Sequence, residues 1–233
     1  MTAPTDTGPI LIELPDLEQG TDEWHDQRRG IITASVVGKL ITSKTLKAAA
    51  NPESRSLTAH LVAERITGWT DPTYISDDML RGMADEPRAR DKYAEHYNVP
   101  VRQVGFMIRE NRGVKLGYSP DGLVGDDGLI EVKSRLQKKQ VETVLSGEPP
   151  AENMAQLQCG LLVSGREWID YISYSGGMHL WVTRVFPDQR WFDAIEAAVQ
   201  GFENSAAEMI RLYEQSVVGF PMTERVFTEM EFD

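Results

Sequence analysis

The stretch "GYSPDGLVGDDGLIEVKS", residues 117–134, decides the fold expected for this chain of 233 residues. Its glycines and proline mark turns, and the two short apolar runs between them favour strands. Asp121 lies in the first run, and Glu131 and Lys133 lie in the second. Side chains alternate along a strand, so Glu131 and Lys133 share one face and Val132 lies on the other. An antiparallel partner strand would bring Asp121 beside Glu131.

These charges have two interpretations. Two acids and a lysine at this spacing occur by chance in many solvated hairpins, so the spacing alone favours an exposed hairpin. The apolar neighbours in "LIEVK" instead predict a central strand with partly buried charges, and a buried charged cluster is costly unless it is used. Carboxylates are hard oxygen ligands that suit Mg²⁺ or Mn²⁺. Lys133 would then orient or deprotonate a metal-bound water, or stabilise charge in a phosphoryl transition state.

The composition limits the class of protein. Hydrophobic residues make up 41% of the chain, which is enough for a sizeable core. One cysteine allows no internal disulfide, and four scattered histidines with that cysteine offer no plausible zinc site. The chain has neither an apolar run of membrane-spanning length nor a secretory signal in "MTAPTDTGPI". We therefore expect a cytoplasmic protein with no membrane partner.

The net charge of −12 argues, taken alone, against a nucleic-acid binder. Basic residues nevertheless cluster at 25–30, 81–92 and 133–139. An enzyme with an acidic exterior and a basic channel would show both features, because phosphate binding depends on the local field.

Hydrophobic periodicity predicts an α/β (α+β) fold, with a mixed central sheet flanked by helices in a single domain over 1–233. Residues 1–20 are expected to form a loose lead-in. Within 21–41 we expect two helices around Gly30, the second capped by Thr33 or Ser35. Further helices are predicted at 57–67, 77–97, 138–146, 151–165 and 188–215, and strands at 101–110, 114–125, 128–135, 167–175 and 179–186. In the helix at 77–97 the expected buried face consists of Met79, Met83, Ala84, Tyr93 and Tyr97.

Four blocks of the sequence resemble one family. "SPDG…IEVK" resembles the core of PD-(D/E)XK nucleases. "EQGTDEWHDQRRGIITAS" (18–35) is similar to the opening of the phage lambda exonuclease and YqaJ-type viral recombinase family. "RGMADEPRAR" (81–90) resembles its Gly-x3-Glu helix, and "MAQLQ" (154–158) its glutamine-containing helix. The blocks follow the family's order over roughly residues 18–165.

The resemblance implies a metal-dependent catalytic centre. It makes Asp121 and Glu131 metal ligands, with the backbone carbonyl of Val132 as a third. Lys133 becomes the catalytic lysine. Glu86 would lie on a helix beside the metals, as a catalytic residue and a further candidate ligand. The implied cofactor is Mg²⁺, with Mn²⁺ as a substitute.

The resemblance also implies substrate contacts. Gln156 would orient substrate or water, whereas Gln158, two residues further along, lies on a different helix face. Arg28 and Ser35 match positions that hold a 5′-phosphate, and Ser119 would assist them. A guanidinium grips phosphate with two hydrogen bonds, and Ser35 is expected near a helix N-terminus, where N–H groups favour anions.

The implied activity is 5′→3′ digestion of one strand of linear double-stranded DNA. The family releases mononucleotides, leaves a 3′ overhang for a single-strand annealing protein and commonly forms a homotrimer, here in the cytoplasm of a bacterium or phage host. One alternative is another nuclease on the same core, structure-specific or endonucleolytic, although one cysteine excludes an iron–sulfur type. The other is a non-catalytic DNA-end-binding recombination scaffold. The intact set of Glu86, Asp121, Glu131 and Lys133 speaks against the scaffold.

Overall fold

The protein is described here by a computed structural model that covers residues 8–72 and 74–225. Its helices are α1 (Asp22–Arg28), α2 (Ala34–Val37), α3 (Pro52–Thr67), α4 (Asp77–Tyr97), α5 (Gln137–Ser146), α6 (Ala151–Ser164) and α7 (Gln189–Ser216). Its strands are β1 (Ile10–Leu14), β2 (Ile32–Thr33), β3 (Ile41–Thr42), β4 (Lys47–Ala48), β5 (Val101–Arg102), β6 (Phe106–Asn111), β7 (Val114–Tyr118), β8 (Gly122–Val124), β9 (Gly128–Ser134), β10 (Trp168–Tyr174) and β11 (Trp181–Val185).

A mixed five-stranded sheet lies at the centre, in the order β11-β10-β9-β8-β5. Only β9 and β10 run parallel in it, and α5 and α6 form the crossover between them. The predicted mixed sheet and the central position of β9 are therefore confirmed. A second sheet, β1-β6-β7-β2, and the short β3-β4 ladder were not anticipated.

The two faces of the central sheet carry different cores. On one face α4 packs against β9 and β10 around the cluster Ala89, Tyr93, Val124, Ile130, Val132 and Ile172. The other face belongs to the larger core, which includes Tyr118, Leu123, Leu129, Leu157, Leu161 and Tyr171. Alternation along β9 thus directs Ile130 and Val132 toward α4, and Glu131 toward α6.

The buried face predicted for α4 was largely wrong. Met79, Met83 and Tyr97 are 48%, 65% and 45% exposed, and Ala84 is exposed too. The buried residues of α4 are Asp85, Ala89 and Tyr93, spaced by four. They lie in the middle of the helix, and the preceding turns, which carry the two methionines, contribute no buried residue.

The N-terminal lead-in is more ordered than expected. Residues 10–14 form β1, which pairs antiparallel with β6 from Ile10–Glu110 to Leu14–Phe106. Residues 1–7 lie outside the described part of the chain. The single domain over 1–233 stays a prediction. No helix within the described ranges is long and apolar enough to cross a membrane.

Candidate active site

Strand β9 carries an acid and a lysine on the same face. Lys133 Nζ donates to Glu131 Oε1 at 2.8 Å, as expected for side chains two residues apart on a strand. Glu131 is only 1% exposed, and the hydroxyl of Tyr118 donates to its other oxygen, Oε2, at 3.3 Å. Both carboxylate oxygens therefore have a donor, which offsets part of the cost of burying the charge.

Asp121 faces the same strand from the turn before β8. The ladder between β8 and β9 ends at the Gly122–Ile130 pair, so β9 faces this turn beyond Ile130. The N–H of Val132 donates to Asp121 Oδ2 at 2.6 Å. In an extended strand the N–H and C=O of one residue point toward the same neighbour, so the Val132 carbonyl lies on the edge that faces Asp121. The hairpin register expected from the sequence is the one observed.

The electrostatics of the cluster favour a bound cation. Burial raises the pKa of the Asp121 carboxyl well above its usual range, and the charges of Glu131 and Glu86 raise it further. Burial lowers the pKa of Lys133, but Glu131 and Asp121 outweigh that effect and leave this pKa above its ordinary value. A positive ion beside Asp121 would stabilise its charged form against burial and the neighbouring carboxylates.

Glu86 approaches from the opposite side on α4. Burial raises its pKa, the charge of Arg90 opposes that shift, and Glu131 adds to it. Arg90, one turn further along α4, donates to Glu86 Oε1. The Gly-x3-Glu block therefore places its acid within the electrostatic reach of β9.

Helix α6 brings Gln156, not Gln158, to the charged pair. Gln156 Nε2 donates to Glu131 Oε1 at 2.5 Å, and its Oε1 accepts from Lys133 Nζ at 3.0 Å. Gln158 is buried elsewhere, where it donates to the Phe186 carbonyl at 2.9 Å and accepts from the Asp188 N–H at 2.9 Å. The two glutamines thus lie on different faces, as their spacing predicts.

A cavity of about 160 Å³ opens beside this cluster. Its walls include Arg28, Ser35 and Ser119, the three residues predicted to hold a terminal phosphate. They also include Tyr118 and Gln156, both of which donate to the buried carboxylate of β9. The cavity and the charged cluster are therefore contiguous.

Arg28 is held in place within the cavity wall. Its Nη1 donates to Ser119 Oγ at 3.1 Å, and the indole N–H of Trp24 donates to the same oxygen at 3.1 Å. The guanidinium carbon of Arg28 lies 3.9 Å from the centre of the Trp24 ring. Burial lowers the pKa of Arg28 to about 10, with Glu64 opposing the shift, so the group is a cation at neutral pH.

Ser35 lies near a helix N-terminus, as expected, but the helix is short. The N-cap of α2 is Thr33, and Ser35 is an exposed residue inside the helix. The hydroxyl oxygens of Ser35 and Thr33 lie 3.2 Å apart. Since α2 has four residues, it supplies little of the aligned dipole that favours anions at longer helices. What Ser35 offers a ligand is its hydroxyl.

The comparisons with known proteins identify the family and the fold of this chain. Residues 23–167 match the YqaJ-like viral recombinase domain. The chain belongs to the YqaJ-like viral recombinase family. It is also similar to the alkaline exonuclease LHK-Exo of Laribacter hongkongensis, with 31% identity and a TM-score of 0.76 over 86% of this chain and all of the other.

Further structures extend the likeness of this YqaJ-like chain. LHK-Exo in complex with dAMP matches with a TM-score of 0.75 at 30% identity, covering 86% of this chain and 100% of that one. A phage-related exonuclease from Haemophilus somnus 129PT, at 12% identity and a TM-score of 0.58, covers 78% and 96% of the two chains and shares the fold. Among curated proteins no sequence matches.

The donor set of this YqaJ-like protein fits a hard divalent cation. Within the described ranges, no three acidic, histidine or cysteine side chains converge closely enough to hold a metal by themselves. Two carboxylates, Asp121 and Glu131, with the Val132 carbonyl at the same edge, suit Mg²⁺. That ion is usually bound through one or two carboxylates, with water and substrate phosphates completing its shell.

Sequence reasoning missed several residues that organise the site. Tyr118 joins the cavity to Glu131, and its ring lies so close to α6 that a Cβ on Gly160 would be 2.8 Å from Tyr118 Cζ. Asp85, the acid next to Glu86 in sequence, is buried and accepts from Ser134 Oγ at 2.7 Å, so it helps to hold α4 against β9. The sequence feature that could have indicated the contact between Tyr118 and α6 is Gly160, a glycine inside a predicted helix.

Proposed function

We propose that this chain is a metal-dependent exonuclease that digests one strand of linear double-stranded DNA in the 5′→3′ direction and releases mononucleotides. The observation that carries the proposal is the sharing of Tyr118 and Gln156 between the Arg28 cavity and the Glu131–Lys133 cluster. An enzyme that removes one nucleotide at a time needs a pocket for the chain end next to the point of attack. The solved complex of LHK-Exo with dAMP supports a mononucleotide as product.

The cofactor in this proposal is Mg²⁺, with Mn²⁺ as a substitute. Asp121, Glu131 and the Val132 carbonyl would hold it, with Glu86 as a further ligand or a base beside it. When bound, the ion supplies an activated water and stabilises charge on the phosphate. Burial of Glu131 and the Val132 N–H bond to Asp121 fix both carboxylates before substrate arrives.

Lys133 and Gln156 act on the reacting phosphate. The ammonium of Lys133 is held between Glu131 and Gln156, at 2.8 and 3.0 Å, and has one further N–H to donate. A donor fixed in this way stabilises the negative charge that grows on the phosphate in the transition state. Gln156 orients Lys133 with its oxygen and contacts Glu131 with its nitrogen.

Arg28 and Ser119 provide the recognition of the terminal 5′-phosphate, assisted by the Ser35 hydroxyl. The Trp24 ring beneath Arg28 and the Ser119 hydroxyl hold the guanidinium in the cavity wall. Its charge, in a partly buried position, favours a doubly charged phosphate over a neutral 5′-hydroxyl.

The partners in this proposal are duplex DNA ends, two further copies of the chain and a single-strand annealing protein that takes the 3′ overhang. They rest on the family resemblance. Exposed apolar residues on and before α5, namely Leu136, Val141, Val144 and Leu145, offer surface that an assembly would cover. Light scattering of the purified protein tests the trimer, and co-purification with a co-expressed single-strand annealing protein tests the partner.

One digestion experiment separates this function from its alternatives. A linear duplex labelled at the 5′ or the 3′ end, with and without 5′-phosphate, is incubated with Mg²⁺, Mn²⁺ or EDTA beside a closed circular plasmid. We expect immediate release of the 5′ label as mononucleotide, an intact circle and no reaction in EDTA. Cleavage of the circle would indicate an endonuclease, early loss of the 3′ label the opposite polarity, and end binding without cleavage a scaffold.

A further inference from the structure

Arg90 connects two elements that carry candidate metal ligands. It lies on α4 one turn after Glu86 and donates from Nη2 to Glu86 Oε1. Its Nε donates to the backbone carbonyl of Asp121 at 2.8 Å. One planar guanidinium therefore contacts a ligand-bearing helix and a ligand-bearing turn at once.

The hydrogen bond from Arg90 fixes the backbone of Asp121, whose side chain is already held by β9. The carboxylate of Asp121 is held by the Val132 N–H at 2.6 Å, and its peptide carbonyl is held by Arg90. Asp85 and Arg81 hold α4 against Ser134 of β9, whereas Arg90 links α4 directly to the turn before β8, about thirty residues away in sequence.

Arg90 is unavailable as a ligand for DNA. Its side chain is 12% exposed. With the Gln103 amide oriented so that its oxygen faces Arg90, that oxygen accepts from both Nη1 and Nη2. Each of the three guanidinium nitrogens therefore has a protein acceptor. A buried arginine of this kind contributes little net stability compared with a well-packed apolar residue, whereas its three contacts fix the geometry around Asp121 and Glu86.

We propose that Arg90 is a positioning residue for the metal site, setting the separation between the Glu86 carboxylate and the Asp121 turn and thereby the affinity for the divalent ion. This inference rests on the proposed function. Partners that orient metal ligands typically change metal affinity or activity by about 10- to 100-fold when they are removed. Lysine would retain a charge for Glu86 but lacks the fork that reaches the Asp121 carbonyl at the same time.

The test is Mn²⁺ binding to the DNA-free protein, measured by calorimetry, for wild type, Arg90→Gln and Arg90→Lys. The matched control is Arg88→Gln, which removes another α4 arginine whose side chain is 69% exposed and which pairs with Asp85, not Glu86. We expect Mn²⁺ affinity to fall about 10- to 100-fold in Arg90→Gln, less in Arg90→Lys, and less than twofold in the control.

A second readout separates positioning from a general loss of structure. If Arg90 acts through the metal site, raising the Mn²⁺ concentration should restore turnover in Arg90→Lys, with KM for DNA unchanged. A merely structural defect would not respond to Mn²⁺. Wild-type Mn²⁺ affinity in both Arg90 variants would overturn the inference and leave the nuclease proposal standing. A wild-type protein that neither binds Mn²⁺ nor cleaves DNA would overturn both.

Discussion

Gln156 lies 2.5 Å from Glu131, with its amide nitrogen donating to the carboxylate and its amide oxygen accepting from Lys133. Helix α6 therefore fixes the acid–lysine pair of β9 from outside the sheet. The same glutamine lines the Arg28 cavity, so a displacement of α6 would change both parts of the site together. Since Gln158 makes none of these contacts, substitutions can test the roles of the two glutamines of "MAQLQ" separately.

Gln156→Ala should impair turnover, whereas Gln158→Ala should impair stability. Gln156→Ala should lower kcat about 10- to 100-fold, because Lys133 loses its second acceptor and its orientation, while the Tm changes little. Gln158→Ala should keep kcat and lower stability by about 1–3 kcal/mol, because the buried Gln158 side chain is lost and the partly buried Phe186 carbonyl and Asp188 N–H each lose their side-chain partner. Thermal melts and single-turnover digestion of both variants provide the check. An inactive Gln158→Ala with normal stability would exchange the two roles.

Lys133→Met should separate chemistry from binding. The substitution keeps an unbranched apolar side chain of nearly the same length but removes the ammonium that contacts Glu131 and that we propose contacts the reacting phosphate. We expect turnover to fall by about 10²–10³-fold or more, with DNA affinity within a few-fold of wild type. Single-turnover rates and fluorescence anisotropy in Ca²⁺ measure the two quantities. The control is Lys92→Met, which breaks an exposed lysine–glutamate pair on α4. Normal turnover with weakened binding would make Lys133 a phosphate contact instead.

Asp121→Asn should inactivate the enzyme and stabilise the metal-free protein. The pKa of Asp121 is raised in the folded state, so folding favours its protonated form, and this group lowers stability as the pH rises above its ordinary value of 3.8. Asparagine keeps an acceptor for the Val132 N–H and removes the charge. In EDTA at pH 8 we expect a gain of about 1 kcal/mol, or roughly 2–4 °C in Tm for a chain of this size.

The comparison with Mg²⁺ completes that test. Excess Mg²⁺ should raise the Tm of wild type and leave Asp121→Asn nearly unchanged, since binding to the folded state alone stabilises it. The advantage of the variant in EDTA should shrink toward pH 4, where the wild-type carboxyl is protonated in the folded protein. A variant that is less stable than wild type in EDTA at pH 8 would contradict the like-charge explanation.

Local patterns in the sequence predicted the elements that carry the site. The alternation in "LIEVK" gave the faces of β9, and the turn residues before it gave a register that places Asp121 at the edge of Val132. The bounds of α4 follow from Ser76, whose side chain accepts from the Met79 N–H, and from Asn98, which ends the helix with a positive φ of 53°. These features are encoded within a few residues.

Long-range contacts could not be predicted in this way. Periodicity showed that α4 has an apolar stripe but not that only its middle would be buried, so Met79 and Met83 were placed wrongly. The pairing of β1 with β6 joins segments about a hundred residues apart, and the local sequence of neither strand indicates which strand it pairs with. The Arg90–Asp121 bond depends on the same tertiary packing.

Arg28→Ala should abolish the preference for a 5′-phosphate. Wild type should digest 5′-phosphorylated duplex faster than the 5′-hydroxyl form, and the loss of a charged hydrogen bond worth about 1.5–3 kcal/mol corresponds to about ten- to a hundredfold. Initial rates on both substrates measure the ratio for each protein. The control is Arg29→Ala, which alters the neighbouring arginine that contacts Thr70 and Asp26 instead of the cavity. An unchanged ratio in Arg28→Ala would remove Arg28 from end recognition.

The same preference should disappear at alkaline pH. Burial lowers the pKa of Arg28 from its ordinary value to about 10, so the free enzyme loses this charge as the pH rises through about 10. The ratio of kcat/KM for 5′-phosphorylated and 5′-hydroxyl ends reports the free enzyme and cancels pH effects common to both DNAs. We expect a constant ratio from pH 7 to 9 that declines toward 1 above pH 10. Unfolding driven by Arg28 would not explain the decline, because between the two pKa values the unfolded chain binds more protons and this group makes stability rise with pH. The ammonium of Arg28→Lys has an ordinary pKa of about 10.4, which the same burial would lower, so this variant should lose its preference at a lower pH than wild type. A ratio that stays constant through pH 11 in wild type would show that Arg28 keeps its charge in the folded protein.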